Sequence, residues 1–477
     1  MKWSTFPLIV LTGILLLPSP VQANEAVAQA EAVAKKSIDD VAALLRMGNT
    51  GGVSTTLLDT LQKAYVANPE IQAAAKNVAS VKENLAIADA NFRPKLDGNA
   101  DATYTHIESE GGEDDGIDFD RDGSNLSKTA GVEASQALYR GGRSLAEQKQ
   151  AKFEIAAAVA EQKQTIQTVL AQAVSVHVDA IRQNAVLVLT QQNVARLAKQ
   201  LDVAKLRFDV GELTRTDVAQ AEARYSAAVA EQTRAQADLR TAQGNYRRVV
   251  GQEPVNLSFP APYAGLPSGF AEAQGIMREY HPALQQAYFR TNAAAYQVRR
   301  VVGATLPTIG VQAGMNRTYD PVSSNSDHET VSTAALVASI PLYAGGANIA
   351  RIRQSKADAA RLQQNERATL DRLDNDLRTA WESYSATRSQ MAARESQLAA
   401  ASLARTSIEL ENQVGQRTVI DVLDAEQDYL QAQIDLVTTQ RDSVVNSYDL
   451  AAAIGIMHPV TLGVAPDFPE AGKIIRN

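Results

Sequence analysis

The sequence predicts an α+β fold, mostly α, in which one helix–β-hairpin–long helix–helix unit is written twice. Three observations predict it. Landmarks recur in the same order in the two halves of the 477-residue chain. The span 144–210 contains neither proline nor glycine, and short alternating apolar–polar runs interrupt an otherwise alanine-rich helical pattern.

The repeat is explicit. AYVANPEIQAA (64–74) matches MREYHPALQQA (277–287), with Pro69 against Pro282, and Arg93-Pro94-Lys95-Leu96 falls on Leu306-Pro307-Thr308-Ile309. QALYRGGR (136–143) matches IPLYAGGA (340–347) after a shorter intervening loop. From there no gap is needed: Gly211 falls on Gly415, Asp217 on Asp421, Glu222 on Glu426, Tyr225 on Tyr429 and Gly251 on Gly455.

Taken in order, residues 1–23 form a signal peptide. Lys2 opens it, 6–17 is apolar, Pro18 and Pro20 break the run, and Val21-Gln22-Ala23 is a small-residue cleavage site. The apolar run is too short to span a bilayer as a helix, so the mature chain is expected to begin near Asn24, outside the inner membrane of a bacterium. An N-terminal segment at 24–53 leads into the first repeat, 54–251. There a helix is expected over 57–92, ended by Pro94, then strands at about 95–106 and 128–140. The helix after them, 144–210, would reach roughly 100 Å, and those at 57–92 and 216–250 about 53 Å each. Two short helices end to end thus match one long one, as the wall of a long bundle requires. A linker, 252–269, joins the second repeat, 270–456, with strands at about 308–319 and 332–343, and a tail at 457–477 closes the chain.

The strands carry the membrane question. Leu96, Gly98, Ala100, Ala102 and Tyr104 alternate with Asp97, Asn99 and Asp101. Ile309, Val311, Ala313 and Met315, and Leu336, Ala338, Ile340 and Leu342, alternate less cleanly. Each run has the length of a tilted membrane-spanning strand, although soluble hairpins give the same pattern. Four strands open in lipid would leave unsatisfied edge groups, and closed membrane barrels need at least eight. Two chains supply eight strands and three supply twelve; only the larger count leaves an open bore.

Composition excludes several classes. With no cysteine there is no disulfide, thiol chemistry, zinc–thiolate site or lipid-anchoring cysteine. A net charge of −8 disfavours a nucleic-acid binder. His106, His177, His281, His328 and His458 are scattered outside any metal-binding spacing, and no phosphate or dinucleotide loop occurs, so no enzyme, cofactor or metal centre is expected. The glycine-rich, acidic loop 106–127 holds Asp118-Phe119-Asp120-Arg121-Asp122-Gly123, which imitates the start of a calcium loop. Thr129 stands where that loop needs a bidentate glutamate, and a solvated loop is the expectation.

The duplicated plan, the paired Leu-Tyr-x-Gly-Gly strand endings and above all VGQRTVIDVLDAE (414–426) resemble the TolC family of outer-membrane channel-tunnels. The resemblance covers 54 to about 462. It implies a homotrimer whose four strands per chain form a twelve-stranded barrel among outer-membrane lipids, continued by a periplasmic α-helical barrel. It also implies a periplasmic adaptor protein and an inner-membrane ABC or RND transporter as partners. The segments 24–53, 252–269 and 457–477 would form or wrap a periplasmic belt. Val210-Gly211 and Val414-Gly415 would be the adaptor-docking tips. The absent lipid-anchor cysteine leans towards type I secretion, with RND-type drug efflux, or a non-pore periplasmic coiled coil, as alternatives.

Two explanations of the tip charges stay open. Thr214-x-x-Asp217 and Thr418-x-x-Asp421 have capping-box spacing, and Arg417 lies four residues before Asp421, as a surface ion pair would. Capping leaves Asp424 unexplained; it shares a helix face with Asp421 and corresponds to Gln220 in the first copy. The resemblance implies a gate instead: acidic rings at Asp421 and Asp424, a lock at Arg417, and partners for it at Thr216 and Asp217. Asn412 stands where a member of the family carries a tyrosine; a link from Asn412 to Asp217 would be weaker, which leaves the lock mainly to Arg417. Carboxylates crowded in such a ring would raise some of their own pKa values and bind blocking divalent cations.

Overall fold

The computed structural model describes residues 32–33, 35–45, 54–108, 123–321 and 327–465. The signal peptide, the calcium-like run before Gly123 and the tail beyond 465 fall outside them. The first copy comprises α1 (Leu57–Ala67), α2 (Pro69–Ala90), β1 (Lys95–Ile107), β2 (Gly123–Arg140), α3 (Arg143–Asp209) and α4 (Arg215–Val250). The second comprises α5 (Phe270–Tyr280), α6 (Pro282–Gly303), β3 (Thr308–Tyr319), β4 (His328–Ser339), α7 (Ala347–Gln413) and α8 (Val419–Ile454). Corresponding helices have 11, 22, 67 and 36 residues in both copies.

Three boundaries differ from expectation. The helix expected over 57–92 breaks at Asn68, which is extended (φ −68°, ψ 124°) because Pro69 excludes helical geometry before it. Asn68 then caps α2, its side chain accepting from the Glu70 N–H at 2.9 Å; His281 does the same for α6. Strand β2 begins at Gly123 rather than about 128, since β1 runs to Ile107 and register pairs Ile107 with Gly123. Strand β4 covers His328–Ser339 rather than 332–343. It pairs with β3 alone, β3 begins at Thr308 opposite Ser339, and Pro341 could donate nothing further.

Contacts divide the chain into two compact units. The unit made of Tyr65–Leu170, Pro267–Thr379 and Ala451–Asn477 contains the sheet, antiparallel in the order β1-β2-β3-β4. The two copies therefore join at β2–β3, and β1 and β4 are left as edges. One face carries Asp97, Asn99 and Asp101, with Glu133 opposite Asp97 and Asn316 two strands from Asn99. A Lys95–Asp97 ion pair of 2.9 Å and a Thr129–Thr318 hydroxyl contact of 3.3 Å lie on it. The opposite face carries Leu96, Ala134, Ala313 and Ala334 in one row and Val132 and Met315 in the next. In the same unit, Val78, Ala158 and Val159 make a small core with Val81 and Phe289.

The other unit, Met1–Ala64, Ala171–Leu266 and Ala380–Leu450, holds the helix turns. Here α4 buries Ala221, Ala228, Ala235 and Ala242 at seven-residue steps, a heptad seam whose small side chains let helices approach closely. The linker is pinned within this unit. Leu257 bridges to Thr55, and the buried His177 contacts Thr60 Oγ1 through Nδ1 at 2.8 Å and the Ser258 carbonyl through Nε2 at 2.9 Å. Among the described residues no helix is long and apolar enough to cross a membrane.

Candidate functional site at the helix turns

The turns α3–α4 and α7–α8 repeat one design. Each helix ends on a glycine in left-handed geometry, Gly211 at φ 81° and Gly415 at φ 78°. The residue beyond closes the end: Glu212 N–H donates to the Arg207 carbonyl at 2.8 Å, and Gln416 N–H to that of Glu411 at 2.9 Å. A Cβ at either glycine would meet nothing within 4 Å, so backbone conformation alone demands glycine. Val210 and Val414 are 72% and 71% exposed, and Leu206 and Leu410, one turn earlier, 66% and 58%. Each turn therefore presents the same apolar pair to solvent. The leucines escaped the sequence pattern because they sit inside uniform helix.

The caps form in full. Thr214 N–H and Oγ1–H both donate to Asp217 Oδ2, at 2.9 and 2.8 Å, and Asp217 N–H returns a bond to Thr214 Oγ1 at 3.3 Å. Thr418 and Asp421 repeat this with the same three distances. The Thr214 and Thr418 bonds hold the Asp217 and Asp421 carboxyls below the usual carboxylate range. Within one chain, then, Asp421 moves opposite to the rise expected for a crowded ring, because capping favours its ionised form. Thr216 is exposed on the first turn of α4.

Arg417 donates from Nε to Glu411 at 2.9 Å rather than bridging to Asp421. That hydrogen bond, with the fields of Glu411 and Asp421, raises its pKa. Within the chain, Asp217 is engaged by Thr214, and Asn412 braces its own turn. Its Nδ2 donates to the Arg417 carbonyl at 2.8 Å, and its Oδ1 accepts from Arg207 at 3.4 Å.

Asp424 has a partner of its own. Arg224 of α4 donates from Nη2 to its Oδ1 at 2.6 Å, tying α8 to α4. The position of Arg224 in the first copy is that of Asp428 in the second, so the repeats carry opposite charges there. Asp421, Asp424 and Asp428 share one helix face and line a groove of about 560 Å³ with Ala400, Ala401 and Ala404 of α7. Among the described residues no group of three His, Cys, Asp or Glu side chains is placed to hold a metal ion.

The adjoining face of α8 is buried. Glu426, 4% exposed, pairs with Arg196 at 2.7 Å and with Arg405 at 3.6 Å. Both guanidiniums lie over the Tyr429 ring, at 5.8 and 4.7 Å from its centroid. Nearby, Leu197, Leu201, Ala221, Val419 and Leu423 form the core that holds the turns. The site thus offers negative charge along a groove and apolar tips.

The profile of the family described as "Outer membrane efflux protein" matches residues 60–252 and 276–456. The chain is 33% identical to the outer membrane efflux protein BepC of Brucella suis over 412 residues, covering 86% of this chain and 88% of BepC. It is 23% identical to outer membrane protein TolC of Escherichia coli, covering 88% and 89%. To the alkaline protease secretion protein AprF of Pseudomonas aeruginosa it is 22% identical, covering 81% of each. Among solved structures, the Campylobacter jejuni CmeC outer membrane channel superposes with a TM-score of 0.74 at 13% identity, covering 88% of each chain.

Proposed function

The chain belongs to the outer membrane efflux protein family, channel proteins of the bacterial outer membrane with a large periplasmic tunnel, and from that premise we propose that it is the gated exit duct of a tripartite export system. Three chains close their sheets into one twelve-stranded barrel. An inner-membrane pump delivers cargo through a periplasmic adaptor, which docks on Leu206, Val210, Leu410 and Val414 around Gly211 and Gly415.

The observation that carries this reading is the sheet. Its edges β1 and β4 each lack a second partner among the described strands, which in lipid costs several kcal/mol per unsatisfied group. Its two faces differ as the inside and outside of a pore must.

In the trimer, Asp421 and Asp424 ring the periplasmic opening, concentrate cations and bind blocking divalent ions. Asp421 does this while capping α8. Arg417 is the lock, with Thr216 and Asp217 of a neighbouring chain as its partners and Asn412 bracing its backbone. Arg224–Asp424 ties the acidic helix back within its own chain. Adaptor docking offsets the loss of these contacts on opening.

Two cargo readings have support. Similarity to a relative named for alkaline protease secretion supports type I protein secretion. Similarity to a relative named an efflux protein supports export of small toxic compounds. Deleting the gene separates them: loss of a secreted protein marks the first, drug hypersensitivity the second.

Closure is tested in a chain that lacks cysteine. Cysteine pairs scanned along β1 and β4, for example Asp97→Cys with Thr333→Cys, should form inter-chain disulfides that stop at three chains. A ladder running beyond three, or no cross-link at any register in the membrane-embedded protein, contradicts the closed trimer.

A further inference from the structure

Charge on the sheet is sorted by face. The four described strand carboxylates, Asp97, Asp101, Glu133 and Glu329, all share the polar face by register. The apolar face holds no carboxylate among the described strand residues, yet it carries Lys128 and Arg317. Both lie towards the hairpin loops.

Register sets Lys128, Tyr319 and His328 side by side in one row, with Arg317 two residues from Tyr319 on the same strand. The Arg317 guanidinium lies 5.1 Å from the Tyr319 ring centroid, so its side chain reaches towards the loop end, and the Tyr319 and His328 rings are 6.4 Å apart. A long cation stretched from an apolar band towards its rim is snorkelling to the headgroup level.

The opposite rim is marked too. The bulge between Ala137 and Tyr139 brings Tyr139 opposite Ile309, on the apolar face. From Ile309 to Tyr319 the strand runs about 33 Å, or about 25 Å in height at a tilt of ~40°, which is the apolar band of an outer-membrane barrel. Tyr139 then sits at one interface, and Tyr104 and Tyr319 near the other.

We propose that Lys128 and Arg317, backed by Tyr319, form a binding site for the phosphates of outer-leaflet glycolipid. The proposal rests on the sheet standing in the outer membrane with its hairpin loops outward. Two cations on a face without a strand carboxylate match an anionic headgroup, with Asp320 and Asp327 just beyond the strand ends, and the aromatic row offers a surface for its sugar.

The test reconstitutes the mature protein in phosphatidylcholine vesicles containing bis-phosphorylated lipid A or its dephosphorylated form, and counts lipid retained per chain by native mass spectrometry. Wild type should retain the phosphorylated form selectively. Lys128→Gln/Arg317→Gln should retain it about 30-fold more weakly, roughly five-fold per cation. Arg317→Lys should keep most of the retention, and Asp101→Asn/Glu133→Gln, on the other face, should change nothing. Equal retention by wild type and the double variant, or of both lipid A forms, overturns the site while leaving the barrel standing. Failure of wild type to enter vesicles overturns the barrel and the site together.

Discussion

Arg224→Gln should raise the open probability of the channel about ten-fold. The Arg224–Asp424 bridge is short, 2.6 Å, but its side chains are 48% and 52% exposed, so each copy stabilises the closed form by only about 0.5 kcal/mol. In the proposed trimer, three copies released together on opening would come to about 1.5 kcal/mol, a factor of roughly ten in the closed–open ratio. Open probability in planar bilayers at low salt is the readout, for Arg224→Gln, Asp424→Asn and the two combined. Either change alone breaks the bridge, so the double variant should open little more than the Arg224 variant. The gain should shrink at about 1 M salt, where the screening length falls to roughly 3 Å. Strictly additive effects, or an Arg224 variant within about two-fold of wild type, would refute the latch.

Glu426→Ala should cost about 3 kcal/mol, seen as a lower urea midpoint, because it strands the Arg196 and Arg405 guanidiniums beside Tyr429; a loss under about 1 kcal/mol would place those charges in water. His281 should make stability pH-dependent. Burial, helped by Arg372, pulls its pKa from 6.5 to about 4, so the unfolded chain takes up the proton first; stability is full above 6.5 and falls by about 3 kcal/mol towards pH 4. Burial lowers His177 and His458 in the same direction, so His281→Asn, the residue at Asn68 in the first copy, should flatten the slope without abolishing it. Gly455→Ala should destabilise by about 2 kcal/mol or more, since φ is 87° and its Cβ would fall 2.8 Å from His281 Cα. Gly211→Ala, whose Cβ meets nothing, should cost only the left-handed conformation, about 1 kcal/mol.

Features written along the chain were legible in the sequence, and features made by pairing were not. The duplication and the 67-residue helices show in register and in the absence of glycine and proline. The caps show because Thr-x-x-Asp is a local geometry. The break at Asn68 was visible as Pro69, but the same proline also served as a repeat landmark. Strand ends were misplaced because a strand stops where its partner does, as β4 does at Ser339 opposite Thr308. The Arg224–Asp424 bridge and the Arg196–Glu426–Arg405 group join distant helices, so no local spacing announces them. The opposite charges at Arg224 and Asp428, in equivalent positions of the two copies, were the one available hint.

Single-channel recording of wild type against Asp421→Asn/Asp424→Asn decides whether the acidic face of α8 gates a pore. Wild type should give small, cation-selective currents that divalent cations block, and the double variant should conduct without that block. Channels that respond identically in both proteins would leave Asp421 a helix cap and Asp424 a surface ion pair. A folded oligomer that never conducts would contradict the exit duct itself.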